Sequence, residues 1–147
     1  MRPTLFLRAF CAGMFFIAIQ VSVFATDYYI DADRASDGDG LSHATAWKNA
    51  RKVNEHPGFQ PGDRILFKRG CAWTRALRPK GNEITPTGTV KYITIGAYHP
   101  TDQTLPKPII NGGGVKDEDS SQLHYGGAIV LRNQSYWIIE NITVTNT

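Results

Sequence analysis

The chain has 147 residues, with 16 Lys and Arg against 13 Asp and Glu, and two cysteines. That length suits one modest domain, and so even a charge balance gives no reason to expect a nucleic-acid partner. Two cysteines exclude the disulfide framework that staples many small secreted modules.

In chain order, the first element is an export signal. Arg2 and Arg8 give a positive start, and Ala9 to Val23 is an apolar run broken only by Gln20 and Ser22. Val23-Phe24-Ala25 then offers small residues at the two positions that a signal peptidase reads, which predicts cleavage before Thr26. The run is too short for a stable membrane anchor, and Arg8-Ala9-Phe10 is a poor lipobox ahead of Cys11. Residues 1–25 are therefore read as a signal peptide, and the product as secreted, periplasmic or surface-located. Arg2, Arg8 and Cys11 leave with the signal, so 14 basic groups face 13 acidic ones in the remainder. Cys71 then stands alone and reads as a small buried apolar residue.

Residues 26–60 form an N-terminal cap segment. Tyr28-Tyr29-Ile30 is a short strand, and the Asp- and Gly-rich run from Asp31 to Gly40 is a loop. Ala46, Trp47, Ala50 and Val53 fall on one helical stripe, which predicts an amphipathic helix from Ser42 to Glu55. Ser42 or Thr45 would cap it, and Pro57-Gly58 would end it. From residue 61 the pattern turns to short strands. Pro61-Gly62-Asp63 is a turn, Ile65-Leu66-Phe67 a strand and Gly70 a break. Val90 to Tyr98 alternates, and Pro108-Ile109-Ile110 precedes three glycines. Ala128 to Leu131, Tyr136 to Ile139 and Ile142 to Val144 are further strands, with corners at Asn133 and Asn141. Asparagine tolerates left-handed backbone angles, and none of these late corners carries a two-residue hairpin turn. Stacked parallel strands explain the spacing better than a hairpin meander does. An antiparallel sandwich is the competing fold.

Several of these runs are similar to a known superfamily. They are Tyr28-Tyr29-Ile30-Asp31, Asp39-Gly40-Leu41-Ser42, Ala46-Trp47-Lys48, and Pro61 to Gly70 with Trp73. Ile93 to Tyr98, Lys107 to Gly112 and Tyr136 to Asn146 complete the series. Together, in this order, they resemble the start of secreted right-handed parallel β-helix proteins of the pectin-lyase-like superfamily. The resemblance implies an all-β fold in which residues 61–147 are the first rungs of a single-stranded coil and the helix closes its end. It also implies that the chain is the N-terminal part of a longer carbohydrate-active protein. That parent would be a polysaccharide lyase or glycoside hydrolase acting on acidic polysaccharide, with its catalytic residues on rungs beyond Thr147. The alternative is a non-catalytic adhesin or polysaccharide-binding solenoid. Residues 26–147 would be inactive alone and would self-associate through their open end.

Asp31, Asp33, Asp37 and Asp39 are the candidate metal ligands. Four carboxylates on a flexible loop suit calcium, although the spacing departs from an EF-hand and also fits an acidic turn that caps nearby N–H groups. Lys68, Arg69, Arg75, Arg78 and Lys80 surround Trp73. This set could hold acidic sugars, while one solvated strand face with a core tryptophan is the plainer reading. Glu83, Asp117, Glu118, Asp119 and Glu140 are too scattered to form a glycosidase pair. His43, His56, His99 and His124 lack zinc or triad spacing, and Gly112 to Gly114 precede no helix or lysine that would make a phosphate loop. Asn133 and Asn141 also sit in glycosylation patterns, but a corner asparagine needs no sugar to explain it.

Overall fold

A computed structural model describes residues 24–81, 90–114 and 126–147. The charged start and apolar run of the export signal lie outside the described residues, as do Glu83, Asp117, Glu118, Asp119 and His124. Among the described residues, no helix is long and apolar enough to cross a membrane.

Among the described residues, seven strands carry the fold: β1 Asp27–Ile30, β2 Arg64–Lys68, β3 Ala72–Thr74, β4 Ile93–Tyr98, β5 Ile109–Asn111, β6 Trp137–Ile139 and β7 Thr143–Thr145. They form one sheet in the order β1-β2-β4-β6 and a second in the order β3-β5-β7. Every pairing between these strands is parallel, which overturns the antiparallel sandwich. From β2 onward the chain visits the two sheets alternately, so each strand lies beside the one two elements earlier. Parallel neighbours need a long crossover, and here the other sheet and its corners supply it.

Register follows from which side chains must leave water. Tyr28, Ile65, Ile95 and Ile139 align across the first sheet. Trp73, Ile110 and Val144 align across the second. Ile65, Ile95 and Ile110 are fully buried, and the inner rows meet where Phe67 sets its ring edge-on to Trp73 at 5.0 Å. Fully burying a side chain of this size stabilises by about 1.5–3 kcal/mol, and a one-residue slip would turn the whole row outward.

The helix expected from Ser42 to Glu55 shrinks to five residues, α1 Arg51–Glu55. Its cap is Ala50, which makes no side-chain hydrogen bond, so neither Ser42 nor Thr45 starts it. The cause lies in β1. Trp47 N–H donates to the Tyr29 carbonyl at 2.9 Å, and Asp31 N–H donates to the Trp47 carbonyl at 2.8 Å. Trp47 thus forms a parallel bridge beside Ile30. Ala46, Trp47, Ala50 and Val53 are all buried as the stripe required. The spacing identified the side chains that face inward, but the first two reach the core from extended backbone. Across residue 60, β1 belongs to the same sheet as β2.

The corners behave as read. Asn133 and Asn141 take left-handed angles, φ 51° and 56°, and Tyr136 does so as well at 63°. Ala128 to Leu131 is not a strand. It contributes one parallel bridge, Leu77 with Ile129.

Candidate functional site

The outward side chains of the first sheet form rows of their own. Asp31 follows Ile30, Lys68 follows Phe67, and Lys68 is in register with Tyr98, so these three stand side by side at the C-terminal end of the sheet. The Lys68 ammonium donates to both Asp31 carboxylate oxygens at 3.1 Å and to Asp33 Oδ2 at 2.9 Å. Cys71 Sγ lies 3.6 Å from the same Asp33 oxygen. Across the row, Tyr98 is buried under the rings of Tyr29 and His43, with centroids at 5.0 and 4.8 Å. The Asp-rich loop is therefore folded back over the outer face of the sheet.

Electrostatics follow the contacts. The Lys68 hydrogen bond and charge hold Asp33 below the usual carboxylate range. Burial pulls Lys68 down, yet its bonds to Asp33 and Asp31 outweigh that and leave it raised. Burial first, and then the charge of Asp33, push the Cys71 thiol up, so it is the protonated, unreactive form that this site favours. The Tyr98 phenol is also raised, by burial and by the charge of Asp31.

The four aspartates do not share one site. Asp31 and Asp33 converge with Cys71, their ligand atoms lying within 4.8 Å of one another, and the Lys68 ammonium is bonded to both carboxylates. Asp37 instead accepts from the backbone N–H of Lys48 at 2.7 Å and of Asn49 at 2.8 Å. Burial raises Asp37, but these bonds leave it lowered on balance. Asp39 accepts from Leu41 N–H at 2.9 Å and stands in solvent. Two of the carboxylates thus serve the turn, and two serve a cation the chain itself supplies.

The basic stretch is divided as well. Lys68 joins the acidic cluster, while Arg69 Nη1 donates to the Leu105 carbonyl at 3.1 Å. Backbone N–H of Arg78 is held by Asn54 at 2.7 Å, and Lys80 is exposed. Arg75 faces a groove of about 310 Å³ between α1 and β3, whose lining includes Lys48, Asn49, Arg51, Trp73 and Thr74. Trp73 is 7% exposed and donates its indole N–H to the Lys48 carbonyl at 3.0 Å. It is a core residue with only an edge at the groove. Arg51 is paired with Glu55 on the same helix.

The histidines serve packing and turns. His56 stacks on Phe59 with centroids 4.1 Å apart, and burial lowers its pKa. His99 Nδ1 accepts from Asp102 N–H at 2.8 Å.

One buried acid escaped the sequence reading. Asp63 is 2% exposed, and its carboxylate accepts from Thr26 N–H and Gln60 N–H, both at 2.8 Å. Its place in Pro61-Gly62-Asp63 signalled a turn but gave no sign of burial.

No protein-family model matches the chain, and no curated protein matches it. Solved structures do, among them GH136 lacto-N-biosidase from Eubacterium ramulus, as native protein and as a selenomethionine derivative. They are 24% and 23% identical to this chain, with TM-scores of 0.59 and 0.57. Each alignment covers 83% of this chain and 20% of the other, so the chain spans about a fifth of the length of those structures. At this identity the likeness is one of fold.

Proposed function

We propose that the chain forms the opening turns of a right-handed parallel β-helix at the N-terminal end of an exported carbohydrate-active protein. The observation that carries this reading is the alternation of parallel strands between two sheets, supported by a fold likeness to a lacto-N-biosidase. The parent is read as a glycoside hydrolase rather than a lyase, on the class of that neighbour, and its partner as a polysaccharide or oligosaccharide. Lys48 and Arg75 are the groove cations that support an acidic sugar, since Arg51 is already paired with Glu55. The Lys68 ammonium is held by the Asp31–Asp33 pair, and calcium bound there would have to displace it.

A role confined to scaffold and binding is the second reading for this part of the chain. It is favoured by the engagement of Asp31 and Asp33 with Lys68, which leaves them unsuited to act as acid and base. The experiment is a panel of chromogenic glycosides, including lacto-N-bioside, with pectate, alginate and chondroitin as polymers. It is run on this chain and on the longest product of its gene. Release of reducing ends by the long product alone is the expected result. Unsaturated products would move the parent to the lyases, and silence from the long product would leave the binding reading.

A further inference from the structure

Asp63 presents an unresolved charge. It is 2% exposed, and among the described residues no Lys, Arg or His side chain is in ion-pair contact with it. Two backbone N–H groups satisfy its oxygens, but they carry no net charge to balance a carboxylate removed from water. One of those donors is Thr26 N–H, on Asp63 Oδ1 at 2.8 Å. The same residue is fixed at its other end, where its carbonyl accepts from Arg64 N–H at 2.9 Å. Immediately upstream, Ala25 is exposed and Phe24 is 84% exposed, so the bond between Ala25 and Thr26 faces solvent.

We infer that hydrolysis of the Ala25–Thr26 bond creates the missing counter-ion: the new α-ammonium of Thr26 pairs with the buried Asp63 carboxylate and locks β1 onto β2. This pairing rests on the proposed export of the chain and adds what processing does to the folded domain. Water adds across the peptide bond, leaving a carboxylate on Ala25 and an amine on Thr26 that takes up a proton at neutral pH. An amide nitrogen offers one donor there, whereas the ammonium offers three and a full charge at the same position. The mature chain then begins one residue before β1, so the ion pair sits where the sheet would otherwise fray. Around it stand the Tyr28 phenol and the His56 imidazole, both of which feel the Asp63 charge. Lys91 Cδ and Ala25 Cβ flank the same face of Gly62, 3.6 and 3.1 Å from where a Cβ would stand there, and Asp27 and Arg64 are paired with each other next door.

The test uses the exported product of the full chain. Intact mass and N-terminal sequencing should show a start at Thr26. Its melting temperature is then compared with that of the same product acetylated at Thr26, and both forms are made again with Asp63→Asn. Acetylation should lower the melting temperature of the native sequence by at least ~4 °C and leave Asp63→Asn unaffected. The free form should lose its advantage as pH rises above ~8, because pairing raises the ammonium pKa and the stability it adds is present only while it is protonated. Should Asp63→Asn fail to fold, the acetylation and pH comparisons on the native sequence decide alone. Equal stability of the free and acetylated forms overturns the pairing. Export with a start at another residue overturns it too and leaves the export reading standing, whereas retention of the uncleaved chain sinks the export reading itself.

Discussion

Gly40 offers the sharpest test of the region where the expected helix gave way to extended chain. It has φ 82°, donates its N–H to the Thr45 carbonyl at 2.7 Å, and gives its own carbonyl to Tyr29 N–H at 2.8 Å. A Cβ added there would lie 2.5 Å from Trp47 Cε2. Trp47 is 7% exposed, stacks on Tyr28 and is tied by its backbone to β1, so it has little room to yield. Gly40→Ala therefore carries two costs. The left-handed angle is worth about 1–2 kcal/mol for a residue with a side chain, and wedging a methyl group against a fixed ring about 1–3 kcal/mol. The expected loss is about 2–5 kcal/mol. Two controls separate these terms. Gly70 has φ 79° and open space, so Gly70→Ala bears only the first cost, about 1–2 kcal/mol. Gly58 has neither feature, and Gly58→Ala should be neutral or slightly stabilising. Urea unfolding followed by tryptophan fluorescence measures all three. If Gly40→Ala cost no more than Gly70→Ala, Trp47 would not be seated where the ladder puts it.

Lys68→Met should destabilise by about 3 kcal/mol, because it strands the Asp31 carboxylate, whose side chain is 11% exposed, beside that of Asp33. The variant's melting temperature should then rise with millimolar calcium or zinc while the native protein stays indifferent; a native protein that responds equally would restore the metal reading. His56 has a depressed pKa, so the unfolded chain binds its proton first, and stability should fall as pH drops below about 6.5. His56→Phe should flatten that part of the stability–pH curve measured by urea unfolding, and an unchanged slope would assign it elsewhere. Ile139 and Val144 continue the buried rows of Ile95 and Ile110 yet are 43% and 47% exposed, on strands that pair on one side only among the described residues. Residues 26–147 should elute as dimers or larger species in size-exclusion chromatography, and Ile139→Lys with Val144→Lys should return them to a monomer. A native sequence that elutes as a monomer would show that these edges are inert.

The sequence by itself determined the strand Ile93 to Ile95, where apolar and polar residues alternate, because period two reports a buried face whatever covers it, and the unbroken apolar run Ile65 to Phe67 announced another strand. It determined the asparagine corners as well, since few residues accept the left-handed angles found at Asn133 and Asn141. Tyr136 takes the same angle without any such signal, and only the pull of β6 onto β4 places it there. The stripe through Ala46, Trp47, Ala50 and Val53 announced burial but not conformation, because one long helix and a strand bridge that runs into a short helix can bury the same four side chains. Ladder bonds to Tyr29 and Asp31, from residues more than a dozen positions away, decided between them. The sites depended on contacts still more distant. Asp31 and Lys68 lie 37 residues apart, as do Thr26 and Asp63, and adjacency in the stacked turns alone brings each pair together. Charge and composition are local properties of a sequence, whereas a partner for a buried charge is a property of which strand lies beside which.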